Sequence, residues 1–249
     1  MAEPFPARWK KILEKNVPLY RRLPSLLKPE LHGHIQVLLA EKNFEGCGGL
    51  KMTDEIRVTV AAHACLLLLN RKTNYYSNLD SIVVYPSTFV TREITHLGNQ
   101  AYVEGRGADT GESWQQGVVV LAWDDVKDGA MGVADGQNVV LHEFAHQLDQ
   151  ENGIADGAPV LDRGSAYVNW ARVFTREYKK LQRAVKRGAR TVVDEYGASN
   201  PAEFFAVATE TFFEKPWDMK RKHPELYEAL KIYYKLDPAE WVDDPEKEE

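Results

Sequence analysis

The sequence is short of cysteine and has no long apolar run. Its two cysteines, Cys47 and Cys65, lie 18 residues apart and form no CxxC pair, so a disulfide framework is not expected. The longest apolar stretches, such as the one around residues 66–69, are far shorter than the ~20 residues of a membrane-spanning helix. No apolar run follows the basic residues near the N-terminus. We therefore expect no membrane partner and no signal peptide, and the predicted compartment is the cytoplasm.

An excess of positive charge is also lacking. The chain carries 37 acidic and 31 basic side chains, a net charge of -6. Seven of the acids and one base fall in residues 237–249, which leaves 30 of each sign in the rest of the chain. A neutral body lacks the basic surface with which proteins bind nucleic acid, so no nucleic-acid partner is expected. The acidic end is interpreted as a solvated tail.

The distribution of apolar residues predicts the α+β class. Residues 81–85 (SIVVY) and 117–123 (GVVVLAW) are rich in valine and isoleucine and predict strands. Helical periodicity dominates the first 70 residues and returns in several segments after residue 135. With no repeat or linker, a single domain over residues 1–249 is predicted. Its parts are a helical N-terminal part (1–70), a core (71–235) and the acidic tail (236–249).

The segment VVLHEFAHQLD, residues 139–149, carries the chemistry. His142 and His146 are four residues apart, so on a helix they project from one face, about one turn from each other. Two imidazoles so placed can bind one zinc ion at ~2.0–2.1 Å. Glu143 is rotated by about 100° from His142, the direction of a base acting on a water at the metal. The motif predicts a zinc site with a catalytic base.

The surroundings of the motif bear on whether it arose by chance. Asp135 is the predicted N-cap of a helix spanning about residues 136–151, and Asn152 with Gly153 forms a C-terminal signal. A helix that buries two histidines and an acid must give them partners, because unpartnered buried polar groups are costly. A metal-independent helical domain with a chance HExxH sequence is the alternative, and the absence of bound zinc would reveal it.

A third metal ligand has to come from elsewhere in the chain. The extended HExxHxxGxxH pattern fails, because Asp149 and Asn152 stand where it requires glycine and histidine. The predicted helix 201–214 offers three glutamates, and spacing alone does not choose among them. Glu203 also fits a capping role, because it lies at the third helical position, with Asn200 as the N-cap and Pro201 at the first position. The three candidates are Glu203, Glu210 and Glu214.

Two motifs together resemble a known family. The segments HEFAHQLD and YGASNPAEFFAV (residues 196–207) resemble the Mlc titration factor A (DgsA anti-repressor) family. Over these two motifs, the sequence is also similar to the catalytic domain of anthrax lethal factor. The helical N-terminus and the strand GVVVLAWDDV also fit the first family. The resemblance implies a zincin-like metallopeptidase fold with a gluzincin-like site, in which Glu203 is the third zinc ligand. It also implies that Tyr196 assists at the oxyanion.

The same resemblance implies a function. Family members are described as metallopeptidases with aminopeptidase activity on small substrates and as binding a transcriptional repressor of sugar-uptake genes. The predicted function is therefore zinc-dependent peptide hydrolysis, with Glu143 as the general base. The rival hypothesis is a regulatory protein that uses the zinc fold as a scaffold. An intact Glu143 argues against it, because a scaffold needs ligands but no base.

Three further residue assignments have a plainer alternative. The strand at residues 117–123 is a candidate edge strand that pairs with an extended peptide substrate, and the contacting residues would be Val119, Val120 and Leu121. A strand inside the sheet fits the same pattern equally well. Tyr196 could be a packing residue at a helix entry. Asp149 could orient a ligand histidine, or be an ordinary surface or capping carboxylate.

Overall fold

The computed structural model describes residues 4–88, 117–131 and 136–245. Three strands and ten α-helices are defined within these ranges, and short 3-10 turns join some of the helices. None of these helices combines the length and low polarity needed to cross a membrane. The strands are β1 (Asn43–Gly46), β2 (Ser81–Tyr85) and β3 (Val118–Ala122). The helices are α1 (Ala7–Asn16), α2 (Pro18–Arg22), α3 (Lys28–Glu41), α4 (Asp54–Leu66), α5 (Trp123–Met131), α6 (Val139–Asp149), α7 (Gly164–Lys186), α8 (Pro201–Glu214), α9 (Pro216–Lys222) and α10 (Pro224–Tyr234).

The three described strands form one parallel sheet in the order β1-β2-β3. β2 and β3 confirm the two predicted strands, with Ser81 opposite Val118 in the register. β1 is a correction, because only helical periodicity is predicted for the first 70 residues. Its residues, NFEG, are mostly exposed and include one large apolar side chain, so no hydrophobic pattern indicates a strand. The helix-rich architecture with a small sheet confirms the α+β prediction.

The helix that carries the HExxH motif, α6, lies in the middle of the fold. It packs against α4, α8 and β3, and its apolar side chains Val140, Leu141, Phe144 and Leu148 are all buried. The ring of Phe144 meets that of Tyr76 edge-on, with 4.9 Å between centroids. Burying these residues on three sides holds the helix in place, and so positions the histidines that project from its remaining face.

Side-chain caps decide where this helix and its neighbours begin. Thr53 caps α4 by accepting a hydrogen bond from the backbone N–H of Ile56 at 3.3 Å. The predicted cap of the HExxH helix, Asp135, lies outside the described residues. Instead Asn138 caps α6 by accepting from the N–H of Leu141 at 3.1 Å, so the helix begins later than predicted.

The acidic C-terminal segment is packed on the body of the protein as far as residue 245. Pro238–Trp241 forms a 3-10 turn, Asp237 accepts a hydrogen bond from Lys231 at 2.6 Å, and Asp244 pairs with Arg221 at 2.9 Å. The prediction of a solvated tail is therefore wrong for Asp237 and Asp244, which are partners for cations on α10 and α9. Glu240 and Asp243 are exposed, as predicted.

Candidate metal centre

Three glutamates of α8 face the HExxH helix. They stand at positions 203, 210 and 214, and intervals of seven and four residues place them on one side of a helix. All three are buried, at 4 %, 6 % and 4 % exposure. Since α8 packs directly on α6, this acidic stripe lies against the helix that carries the two histidines.

One of the three glutamates meets both histidines. Nε2 of His142 lies 3.0 Å from one carboxylate oxygen of Glu203, and Nε2 of His146 lies 3.4 Å from the other. The two Nε2 atoms are 3.2 Å apart. One ligand atom from each of these residues can be chosen so that all lie within 4.8 Å of one another, and no other set of three or more such groups occurs in the described part of the chain.

These separations fit a metal ion. Ligands at ~2.0–2.1 Å from a tetrahedral zinc ion are ~3.3–3.4 Å from one another. The two histidine nitrogens, 3.2 Å apart, are close to that length, and each of them faces a different oxygen of Glu203 at 3.0 or 3.4 Å. Two neutral imidazoles and a carboxylate are also donors that zinc accepts. The three residues thus supply a metal's ligand set while leaving a coordination position to a water or substrate, as catalytic zinc sites do.

The side chain of Glu203 takes only one of the two roles that its sequence position allowed. Its backbone N–H donates to Oδ1 of Asn200 at 2.9 Å, so the predicted N-cap of α8 is present. Its side chain turns towards the histidines rather than back to Asn200. Burial raises the pKa of this carboxyl, but hydrogen bonds from His142 and His146 outweigh burial and lower it to about 2. The group is therefore ionised, as a metal ligand must be.

Glu210 lies behind His142, on the side away from the ligand cluster. Its Oε1 accepts a hydrogen bond from Nδ1 of His142 at 2.8 Å, and its other oxygen accepts the backbone N–H of Asn138. Burial lowers the pKa of His142, but the hydrogen bonds to Glu203 and Glu210 prevail and raise it well above its usual value. A carboxylate that holds a ligand histidine from behind is common at metal sites. The sequence offered Glu210 only as a rival ligand.

The candidate catalytic residues border the same cluster. Glu143, on α6, is 6 % exposed, and its charge contributes to raising the pKa of His142. Tyr196 lies in the 3-10 turn Glu195–Ala198 just before α8, and its ring centroid is 6.0 Å from that of His142. The structure thus brings the five predicted site residues together from two helices and one turn.

The predicted substrate strand lies beside the HExxH helix. β3 is at one edge of the sheet as far as the described residues extend, and it packs against α6. Val119 and Leu121 are each 1 % exposed, while Val120 is only partly buried. The side chains of the first two belong to the core, so any contact that they make with a peptide would be through their backbone. Peptide binding by this strand stays a prediction.

Asp149, at the end of α6, is not a surface carboxylate. It is fully buried and accepts the backbone N–H of Gly157 at 2.8 Å. Burial raises its pKa to about 6, although the bond from Gly157 and the charge of His146 act in the opposite direction. The interpretation as an ordinary surface group is therefore wrong, and the residue ties the loop after α6 to the helix end.

Comparison with known proteins is consistent with this site. The profile of the family described as glucose-regulated metallo-peptidase M90 matches residues 1–235. An uncharacterized protein of Synechocystis sp., slr2042, is 42 % identical over 94 % of this chain and 86 % of its own length. Proteins named Mlc titration factor A from Yersinia pestis and Yersinia pseudotuberculosis are 31 % identical over 93 % of this chain and 85 % of their own length. The resemblance to the Mlc titration factor A family is confirmed, and the chain belongs to the M90 family of metallopeptidases.

Proposed function

We propose that this protein is a zinc-dependent peptidase with a gluzincin-like site, acting as an aminopeptidase on small peptides. The observation that carries the proposal is the cluster of His142, His146 and Glu203, whose facing atoms are 3.0–3.4 Å apart. Membership of a metallopeptidase family supports the same reaction class. His142, His146 and Glu203 are the proposed zinc ligands.

The chain's own residues have distinct roles in the proposed hydrolysis. Zinc in this site would supply Lewis-acid chemistry, polarising the peptide carbonyl and lowering the pKa of the attacking water to ~7. The carboxylate of Glu143 takes a proton from that water and then delivers it to the nitrogen of the leaving amine. The phenol of Tyr196 donates a hydrogen bond to the carbonyl oxygen as negative charge develops there.

The peptide is proposed to lie along β3. The N–H and C=O groups on the outer side of an edge strand can pair with an extended chain, which binds a peptide without reading its side chains. The backbone of Val119, Val120 and Leu121 would make these contacts. The preference for small peptides with a free N-terminus comes from the family resemblance.

A second role follows from the relatives called Mlc titration factor A. Their identity of 31 % extends over 93 % of this chain, so a surface that binds a repressor would fall within the shared region. We propose that this protein also binds a transcriptional repressor, in the cytoplasm where such a repressor acts. Peptide hydrolysis and repressor binding do not exclude each other.

The first experiment measures zinc content and hydrolysis of amino-acid p-nitroanilides for wild type and Glu143→Gln. The amide cannot accept the proton from water but preserves the shape of the side chain. We therefore expect about one zinc per chain in both proteins, and hydrolysis by wild type alone. Glu228→Gln is the matched control, since Glu228 is an exposed residue of α10, and it should hydrolyse as wild type does.

The outcomes separate the two roles. Zinc in both proteins with hydrolysis in neither would overturn the aminopeptidase proposal on these substrates and leave repressor binding as the function to test. The absence of zinc from wild type would overturn the metal site itself. Hydrolysis by Glu143→Gln at the wild-type rate would remove Glu143 from its role as the base.

A further inference from the structure

The turn that carries Tyr196 is held on one side by close packing. Its residue Gly197 is buried. A Cβ added at Gly197 would lie 3.3 Å from Cδ2 of Leu181 on α7 and 3.4 Å from Cα of Phe204 on α8. Packing at this distance leaves the backbone of the turn little room to move. The second half of the turn is thereby fixed against α7 and α8.

Asp194, the residue before the turn, holds its first half. Oδ1 of Asp194 accepts a hydrogen bond from the backbone N–H of Tyr196 at 2.9 Å. Oδ2 accepts a second hydrogen bond from Nε2 of Gln137 at 3.1 Å. Each oxygen of one carboxylate thus has its own donor, and Gln137 lies 57 residues from Asp194 in the sequence.

Gln137 belongs to the start of the HExxH helix. It directly precedes Asn138, whose side chain caps α6 by accepting the N–H of Leu141. His142 and Glu143 follow about one helical turn later. Asp194 therefore connects the backbone of Tyr196 to the end of α6 at which a proposed metal ligand and the proposed base lie.

The relative position of the turn and α6 matters for the proposed reaction. The phenol of Tyr196 is the proposed donor to the developing oxyanion, and its ring centroid lies 6.0 Å from that of His142. Such a donor is effective only at ~2.7–3.1 Å from the oxygen on which the charge develops. A displacement of about 1 Å can cost ~10²-fold in rate. A link between the turn and α6 therefore controls a distance on which the rate depends.

We propose that Asp194 is a positioning residue for Tyr196. Its two hydrogen bonds fix the turn relative to α6, so that the phenol is held where the oxyanion forms. Among the residues that the structure describes, its carboxylate makes no hydrogen bond to a proposed metal ligand, so it acts through Tyr196 and not through the metal. The inference rests on the proposed function, because an oxyanion forms only if the protein hydrolyses peptides.

The test is a double-mutant cycle of Asp194→Ala and Tyr196→Phe. Zinc content, kcat and KM for amino-acid p-nitroanilides are measured for wild type, both single variants and the double variant. We expect Asp194→Ala to keep its zinc and its KM and to lower kcat about tenfold or more. In the double variant kcat should lie within about twofold of Tyr196→Phe alone, because the displaced turn acts only through the phenol.

A purely structural cap predicts different values. It would lower kcat by the same factor with and without the phenol, or it would reduce the zinc content. Asp194→Asn is the conservative variant, because its amide oxygen still accepts the N–H of Tyr196, and it should restore kcat to within about threefold of wild type. Gln137→Leu keeps the cap on the turn but removes the link to α6, and it should lower kcat while zinc is retained.

Asp156→Ala is the matched control. Asp156 is exposed, and its Oδ1 accepts the N–H of Ala158, also two residues later, at 3.1 Å. The variant removes the same kind of hydrogen bond in the loop after α6 and should keep the wild-type kcat. Amide hydrogen exchange adds a measurement without substrate. The N–H of Tyr196 should exchange roughly tenfold faster or more in Asp194→Ala, and at the wild-type rate in Asp156→Ala.

The outcomes separate this inference from the proposed function. A wild-type kcat in Asp194→Ala, loss of its zinc, or equal factors with and without the phenol would overturn the positioning role alone. Unchanged exchange at Tyr196 in Asp194→Ala would show that the carboxylate does not hold the turn. No hydrolysis by wild type, or an unchanged kcat in Tyr196→Phe, would instead overturn the proposed reaction or the role of the phenol, and the positioning role with it.

Discussion

Glu210 determines which nitrogen of His142 faces the candidate metal centre. Its Oε1 lies 2.8 Å from Nδ1 of His142, and a carboxylate oxygen accepts hydrogen bonds, so Nδ1 is the donor. Nε2 is then the nitrogen that can bind a metal, and it lies 3.0 Å from Glu203. The second oxygen of Glu210 accepts the N–H of Asn138, the residue that caps α6. A single carboxylate thus orients a ligand and anchors the start of its helix.

The first prediction concerns Glu210→Gln and Glu203→Gln. In Glu210→Gln, the one carbonyl oxygen of the new amide cannot serve both the His142 and the Asn138 donors. We therefore expect metal affinity to fall ~10–100-fold, as for other groups behind a ligand. Glu203→Gln replaces a charged ligand and should lower the metal affinity more than Glu210→Gln does. Competition with a chelator of known affinity measures both.

Glu214→Gln is the matched control for this pair. It makes the same change on the same face of α8, but the contact of Glu214 is with Nδ2 of Asn138 at 3.1 Å and not with a ligand histidine. Its metal affinity should stay within a few-fold of wild type. A larger loss in Glu214→Gln than in Glu203→Gln would contradict the proposed ligand set.

The helices that build the site were predictable because their signals are local. Asn200 and Pro201 mark the start of α8, and the helix begins at Pro201 as expected. The choice among Glu203, Glu210 and Glu214 was not predictable from spacing, because all three lie on the face that meets α6. Distances across the helix interface distinguish them, and the family resemblance already favoured Glu203, the glutamate that lies beside both histidines.

Two other features were missed because their stabilising contacts are with residues outside the segment itself. β1 is a polar, exposed strand whose partner in the sheet begins 38 residues later, with Asn43 opposite Ser81. Asp237 and Asp244 suggested a solvated tail, yet they pair with Lys231 and Arg221. Composition counts charges but does not reveal which of them have partners.

The second prediction is that Tyr196→Phe lowers kcat and leaves the metal in place. The ring would stay beside His142, 6.0 Å between centroids, while the donor to the developing oxyanion is lost. Removal of one such donor typically costs ~10²–10³ in kcat. Steady-state kinetics with p-nitroanilides, together with zinc content, measure the effect. An unchanged kcat would identify Tyr196 as a packing residue only.

The third prediction contrasts two glycines in the loop after α6. Gly157 and Gly153 have positive φ, 76° and 86°, so alanine is strained at both and should cost ~1–2 kcal/mol of unfolding free energy. At Gly157 the added Cβ would also lie 2.4 Å from the carbonyl oxygen of Pro201, whereas at Gly153 it meets nothing within 4 Å. Gly157→Ala should therefore be less stable than Gly153→Ala by at least about 1 kcal/mol. Urea unfolding midpoints of the two variants measure this difference. Equal midpoints would show that the predicted clash at residue 157 does not destabilise the fold.

The fourth prediction is that His63 makes the fold sensitive to acid. This histidine of α4 is 1 % exposed, Nδ1 donates to the backbone oxygen of Thr59 at 3.0 Å, and burial lowers its pKa from 6.5 to about 4. Between pH 6.5 and 4, His63 is therefore protonated in the unfolded chain but neutral in the folded chain. The neutral His63 therefore contributes fully to the free energy of unfolding above pH 6.5. This contribution, about 3 kcal/mol in all, is lost as the pH falls towards 4. His63→Met should flatten the urea midpoints between pH 6.5 and 4; a parallel decline in both proteins would assign the acid sensitivity to other groups.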